Sequence, residues 1–144
     1  MGLDLALGGT GIALPDGTTL RHRPQGPDNV GYRRHADIAL TVLAIIGTAK
    51  PDLVVVEDYA PHSIGINSTI AAGELQGVIR VHFTLRRIAW RAVPPSTLKK
   101  YATGRGTATK PEMVAAAIEA GARPGLSHDE ADAWHLRRYG LEHL

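Results

Sequence analysis

A short β-branched run, Leu53-Val54-Val55-Val56, ends in Glu57 and is bounded by Pro51 and Pro61. A continuous apolar run of this length is typical of a central strand buried on both faces, so the chain has to build a sheet with cover on each side. The glutamate at its end is out of keeping with such a strand. The same conflict recurs at Asp4, inside Met1-Gly2-Leu3-Asp4-Leu5-Ala6-Leu7, and at Asp129 and Asp132, inside His128-Asp129-Glu130-Ala131-Asp132-Ala133-Trp134. A carboxylate in a core-like segment is costly to bury unless a cation pairs with it. Acids converging from three separate segments need a shared partner, and a divalent metal ion is the obvious candidate.

The remaining segments supply the layers around that strand. Residues 2–23 alternate apolar runs with the turn signals Gly8-Gly9 and Pro15-Asp16-Gly17, which predicts three strands in an antiparallel meander. After a Pro/Gly connector from Pro24 to Asp28, apolar residues at helical spacing predict a helix from Tyr32 to Thr48. A long helix is expected from Ile64 to Arg87, with Gly65, Gly73 and Gly77 either weakening it or letting it pack close to another backbone. Ile88–Val93 reads as a further strand, with Ser96 or Thr97 capping a brief helix through Tyr101. A loop containing Gly104 and Gly106 leads into a helix from Lys110 to Ala120, with Pro111 in its first turn. Ser127 or His128 opens a last helix through Arg138, Ser127 being the expected N-cap. The order implies an α/β fold, a mixed sheet with helices packed on it, and residues 1–144 read as a single domain.

Composition narrows the function. The chain has 144 residues, 44% of them hydrophobic and 21% charged, which fits a globular protein. It has no cysteine, which excludes a disulfide framework and a thiolate zinc site. The longest apolar stretch, Ile38 to Ala49, is too short to span a bilayer, and strand-like sequence at the N-terminus leaves no room for a signal peptide, so a cytoplasmic protein is expected. The net charge is only +2, but basic residues gather at 21–23, 33–34, 80–91 and 99–110. A basic surface around an acidic centre suits a polyanion such as DNA, although solvated surface cations are the commoner meaning of such clusters.

On a helix, Asp129 and Asp132 project from one face, their Cβ atoms roughly 5–6 Å apart. With Asp4 and Glu57 they form a set of hard oxygen ligands suited to Mg²⁺ or Mn²⁺. Two ions about 4 Å apart could activate water and stabilise the leaving oxygen in phosphodiester hydrolysis. His128 and His135 flank the aspartates, either to approach the metal or to cap and cover the helix. Trp90 and Trp134 read as packing residues, and the stretch from Ile70 to Val81 as a dimer face or an internal core helix.

Gly2-Leu3-Asp4, Val54-Val55-Val56-Glu57 and Asp129-Glu130-Ala131-Asp132, in this order, resemble the acidic motifs of RuvC-type Holliday-junction resolvases, which have an RNase H-like fold. Pro95-Ser96-Thr97-Leu98-Lys99, followed by Gly104-Arg105-Gly106 and Lys110-Pro111-Glu112-Met113, resembles the family's lysine-bearing segment. The resemblance implies an RNase H-like mixed sheet with helices on both faces and a metal-dependent, homodimeric endonuclease. Such an enzyme nicks four-way junctions symmetrically and leaves 5′-phosphate and 3′-hydroxyl ends. By the same resemblance Asp4, Glu57, Asp129 and Asp132 hold two Mg²⁺ or Mn²⁺ ions, and Lys99 and Lys110 contact phosphate near the scissile bond. Lys100 and Arg105 are added as DNA contacts. The family commonly places an aromatic residue just after the strand-end glutamate; here the available ring is Tyr59, out of register, with Ala60 and Pro61 following. That departure points to a compact, phage-type variant acting on branched DNA more broadly. Competing readings are a non-catalytic junction-binding module and an actin-like or sugar-kinase-type ATPase fragment, the latter requiring a second lobe for which the chain has no room.

Overall fold

The structure, a computed structural model, describes residues 1–58 and 66–144. Three N-terminal strands, β1 (Gly2–Asp4), β2 (Thr10–Ala13) and β3 (Thr19–His22), form the expected antiparallel meander. The β-branched run becomes β4 (Val54–Glu57), which pairs parallel with β1 and with β5 (Trp90–Val93). The five strands lie in the order β3-β2-β1-β4-β5, a mixed RNase H-like sheet.

Alternation along the central strands separates two cores. Leu3, Leu5, Ile12, Val54 and Val56 face α1 (Gly31–Ala49) and α2 (Ile66–Leu85), meeting Ile38, Val42, Ile46, Leu75, Ile79 and Phe83. Ala13, Val55 and Val93 face the opposite way, under α3 (Pro95–Thr103), α4 (Lys110–Glu119) and α5 (His128–His143). Both faces are thus covered, which is why β4 carries no polar residue before Glu57.

Several element ends differ from the sequence expectation. The last helix continues to His143 rather than Arg138, its extra turn held partly by stacking of Tyr139 on His143 at 4.7 Å. The brief helix after β5 is capped by Pro94, with Pro95 in its first turn, because a missing N–H costs nothing there; it continues to Thr103, where Gly104 takes a left-handed φ of 78°. Among the described residues Gly73 and Gly77 do not mediate close packing: a Cβ at either would meet none of them within 4 Å. Residues 64 and 65, placed at the start of the long helix from sequence, lie outside the described residues, as does Tyr59.

Close approach occurs instead under α5. A Cβ on Gly11 would stand 1.9 Å from the Asp129 carbonyl oxygen, and one on Gly2 would stand 2.0 Å from that of Ala133. Two glycines on neighbouring strands therefore let α5 lie directly on the sheet. Its N-terminus is fixed by a capping box in which Ser127 and Glu130 satisfy each other's backbone N–H groups.

Candidate active site

Asp4 ends β1 and Glu57 ends β4, and the parallel register that pairs Leu3 with Val56 brings the two carboxylates to the same edge of the sheet. Ligands commonly bind at the carboxyl ends of parallel strands. Here α5 crosses that edge, and Asp132 reaches the same cleft as Asp4 and Glu57. The three line a cavity of about 900 Å³.

Their ionisation shows how tightly the charges are gathered. Burial pushes the Asp4 carboxyl well above its ordinary range; Glu57, Asp132 and Asp129 add repulsion, and Lys110 opposes it. Burial and the Asp132 charge raise Glu57 to about 7, against the pull of Lys99. Burial and the Asp129 charge raise Asp132 to about 6, with Lys99 and Lys110 acting the other way. Three acids that resist ionisation within one cleft make a site waiting for positive charge.

Lys99 and Lys110 provide some of it from one wall. Leu98, fully buried, anchors α3 so that Lys99 faces the cleft. Lys110 stands at the start of α4, where the helix dipole disfavours a cation, and it too lines the cleft. A lysine in that position is explained by the acids it faces rather than by the helix. The opposite wall carries Arg34, Asn67, Ser68 and Gln76. Gln76 is buried and donates from Nε2 to the Glu57 carbonyl at 2.9 Å, while its Oε1 accepts from Arg80 at 2.5 Å.

The other expected site residues are placed differently. Lys100 is exposed and does not line the cleft. Arg105, also exposed, pairs with Glu112, and Gly106 lets its loop pass 3.3 Å from the Ser96 carbonyl oxygen, measured from the Cβ it lacks. Asp129 is brought to the acidic cluster but turned away from the cleft, paired with Arg21 on one oxygen and with His128 on the other at 2.7 Å. His135 is a core residue, 1% exposed, with Nε2 bonded to the Met113 carbonyl at 3.0 Å. Trp134 is buried and Trp90 half-buried, as packing residues.

Two contributors escaped the sequence reading. Arg34 was visible only as half of a basic pair on α1; its Nε is buried without a hydrogen-bond partner among the described residues, and it lines the cleft opposite the lysines. Arg21 sat in a basic stretch of β3, with no local signal that it would reach Asp129.

The donor set fits a hard divalent cation: Asp4, Glu57 and Asp132 offer only carboxylate oxygens, and Asp132 Oδ1 is buried with no hydrogen-bond partner among the described residues. As the side chains stand, no three His, Asp or Glu among the described residues are close enough to hold one ion together. Ion binding would therefore draw these carboxylates inward. Among the described residues no helix is long and apolar enough to cross a membrane.

No protein-family model matches the sequence, and no curated protein matches it. Solved structures do. Thermus thermophilus RuvC in complex with a Holliday junction substrate aligns over 94% of this chain and 88% of its own, with a TM-score of 0.71 and 19% identity. The same protein in a second structure gives a TM-score of 0.63 and 21% identity over 94% of this chain and 89% of its own. Ydc2, the yeast mitochondrial Holliday junction resolvase, aligns over 94% of this chain and 74% of its own, with a TM-score of 0.55 and 14% identity. The chain has the RNase H-like fold of these resolvases.

Proposed function

We propose that this chain is a metal-dependent, structure-selective DNA endonuclease that nicks Holliday junctions or other branched DNA, leaving 5′-phosphate and 3′-hydroxyl ends. The observation that carries the reading is one cleft lined by Asp4, Glu57, Asp132, Lys99 and Lys110, on a fold shared with RuvC. A Mg²⁺ or Mn²⁺ ion, or a pair of ions, held by the carboxylates would supply an activated water and charge stabilisation at the scissile phosphate. Lys99 and Lys110 bind the phosphate and offset the charge that develops on it, and Arg34 holds the strand from the opposite wall. Lys100 and Arg105, both exposed close to that wall in sequence, extend the phosphate contacts.

The active form is a homodimer with two cuts placed across the junction. Ile70, Val78, Val81 and Leu85 are exposed along α2, which supports a subunit contact there. The protein acts in the cytoplasm of a bacterial or phage-infected cell. Tyr59, close behind Glu57 in sequence, is the ring proposed to stack on a base at the branch point.

The test is cleavage of end-labelled four-way, three-way, flap and linear DNAs with Mg²⁺ or Mn²⁺, using wild type and Asp4→Asn. Paired nicks on branched substrates, lost with chelator and with Asp4→Asn, are expected. Metal-independent junction binding with no cleavage of any substrate would replace this reading with that of a binding module, for which the incompletely converged carboxylates speak.

A further inference from the structure

Among the described residues, two that are not glycine take a left-handed backbone conformation, and both are cations: Lys50, with a φ of 44°, and Arg87, with a φ of 55°. Each closes a helix. Lys50 is the C-cap of α1, its N–H donating to the Ile46 carbonyl at 2.8 Å. Arg87 lies just past the end of α2, where the Ile88 N–H donates to the Phe83 carbonyl at 2.9 Å. Glycine is the usual residue at such a position, because any side chain there crowds the backbone. A helix dipole favours a cation near its C-terminus, but the last turn offers that place without the strain. What the two positions share is one cavity of about 420 Å³. Its floor is apolar, made by the buried Leu43 and Ile46 and the half-buried Ile88, and the exposed Lys50, Arg86 and Arg87 stand at its rim. None of these three cations forms an ion pair among the described residues. Pro51 and Asp52 precede β4 and Ala89 precedes β5, and the two strands are parallel, so the cavity opens at the sheet edge opposite Glu57.

We propose that this cavity docks an acidic peptide of a partner protein, which seats one apolar side chain on the floor and sets carboxylates against Lys50, Arg86 and Arg87. Charge complementarity selects the partner: three cations face the single acid Asp52, so the rim is positive. An apolar floor offers a nucleic-acid backbone nothing to bind, and no residue of this cavity lines the acidic cleft, so a peptide fits it better than DNA. The hydrogen-bonded caps fix where the Lys50 and Arg87 side chains leave the backbone, which lowers the ordering cost of binding. The proposal does not depend on the chemistry of the cleft.

Fluorescence anisotropy with a fluorescein-labelled Asp-Glu-Phe-Glu-Asp peptide at physiological ionic strength tests this. Wild type should bind it. Replacing the peptide's phenylalanine with alanine, or its acids with asparagine and glutamine, should weaken binding by at least about tenfold in each case. Lys50→Gly/Arg87→Gly removes two rim charges at positions that favour glycine, so it should lose about tenfold in affinity while melting no lower than wild type. Arg86→Gln, outside the left-handed caps, should lose about threefold. If the double variant melts below wild type, Arg86→Gln alone decides: loss of affinity sustains the proposal, and no loss overturns it. No peptide binding by wild type, or binding that is indifferent to the phenylalanine or to both rim variants, overturns it. Rim variants that weaken binding of a labelled DNA duplex and leave peptide binding intact overturn it too, and assign the rim to nucleic acid.

Discussion

Replacing Asp132 with asparagine should stabilise the metal-free protein, the reverse of what most substitutions at buried positions do. Asp132 rises from its ordinary 3.8 to about 6 on folding, so at neutral pH its ionised form is held against an adverse environment. Roughly two pH units at about 1.4 kcal/mol each put an upper bound near 3 kcal/mol on that cost, and water entry with side-chain relaxation brings the expected gain to about 1–3 kcal/mol. Asparagine keeps the shape, and Oδ1 has no hydrogen bond among the described residues to lose. Glu57, raised partly by the Asp132 charge, is relieved as well.

The sign follows from linkage. A carboxyl whose folded pKa lies above its unfolded value costs nothing when protonated in both states, and destabilises increasingly as pH climbs through the folded value. The difference between variant and wild type should therefore vanish below about pH 4 and be complete above about pH 7, the window set by Asp132 and Glu57. For a chain of this length, roughly 4 °C per kcal/mol converts the gain into a melting-temperature rise of about 4–12 °C near pH 8 in chelator. Added Mn²⁺ should raise wild type and leave Asp132→Asn unmoved. A variant that melts at or below wild type in chelator near pH 8, or a gap that persists at about pH 4, would refute the account of the cleft as a cluster of mutually opposed carboxylates.

Lys99→Ala and Lys110→Ala should each lower the slope of log affinity against log salt for duplex arms by up to about 0.9, measured by fluorescence anisotropy in chelator. A substitution that leaves the slope intact removes that lysine from the phosphate path. Gly11→Ala should cost at least about 2 kcal/mol in urea unfolding, because backbone rather than a flexible side chain stands 1.9 Å from the new Cβ. Glu130→Gln should cost about 1–2 kcal/mol near neutral pH by opening the Ser127 capping box and the Arg123 contact at 2.5 Å. Burial works against the Glu130 charge, but the hydrogen bonds from Ser127 and the Arg123 guanidinium prevail and lower its pKa; the wild-type advantage is present above the ordinary 4.5 and is lost as pH falls through the lower folded value.

The strands that carry the acids were legible because their pattern is local. Alternation and Gly/Pro turns marked β1 to β3, and the Val54–Val56 run marked β4. Asp4, Glu57 and Asp132 stood out because charge inside an apolar run contradicts its surroundings. Asp129 was indistinguishable from Asp132 by that criterion: both sit in the first turns of α5, and only the arrival of Arg21 from another strand separates them. Gly2 and Gly11 gave no hint of their role, since a strand glycine reads the same whether it faces solvent or a helix backbone. Gly73 and Gly77 mislead the other way, allowing close packing where none of the described residues lies within 4 Å. Periodicity reports which face of an element is apolar, but it does not report how near the neighbouring backbone comes.

That nearness has a bearing on how this sequence can drift. With α5 seated on Gly2 and Gly11, a position on the Asp4 strand and Asp4's own partner across the β1–β2 pairing admit no side chain at all, although neither takes part in any chemistry. A saturation library over residues 1–12 should therefore show a sharp intolerance at these glycines that survives in a background already inactivated at Asp4. Substitutions there would register as loss of folded protein, whereas those at the acid would register only as loss of activity, so one scan would separate the residues that shape the site from those that operate it.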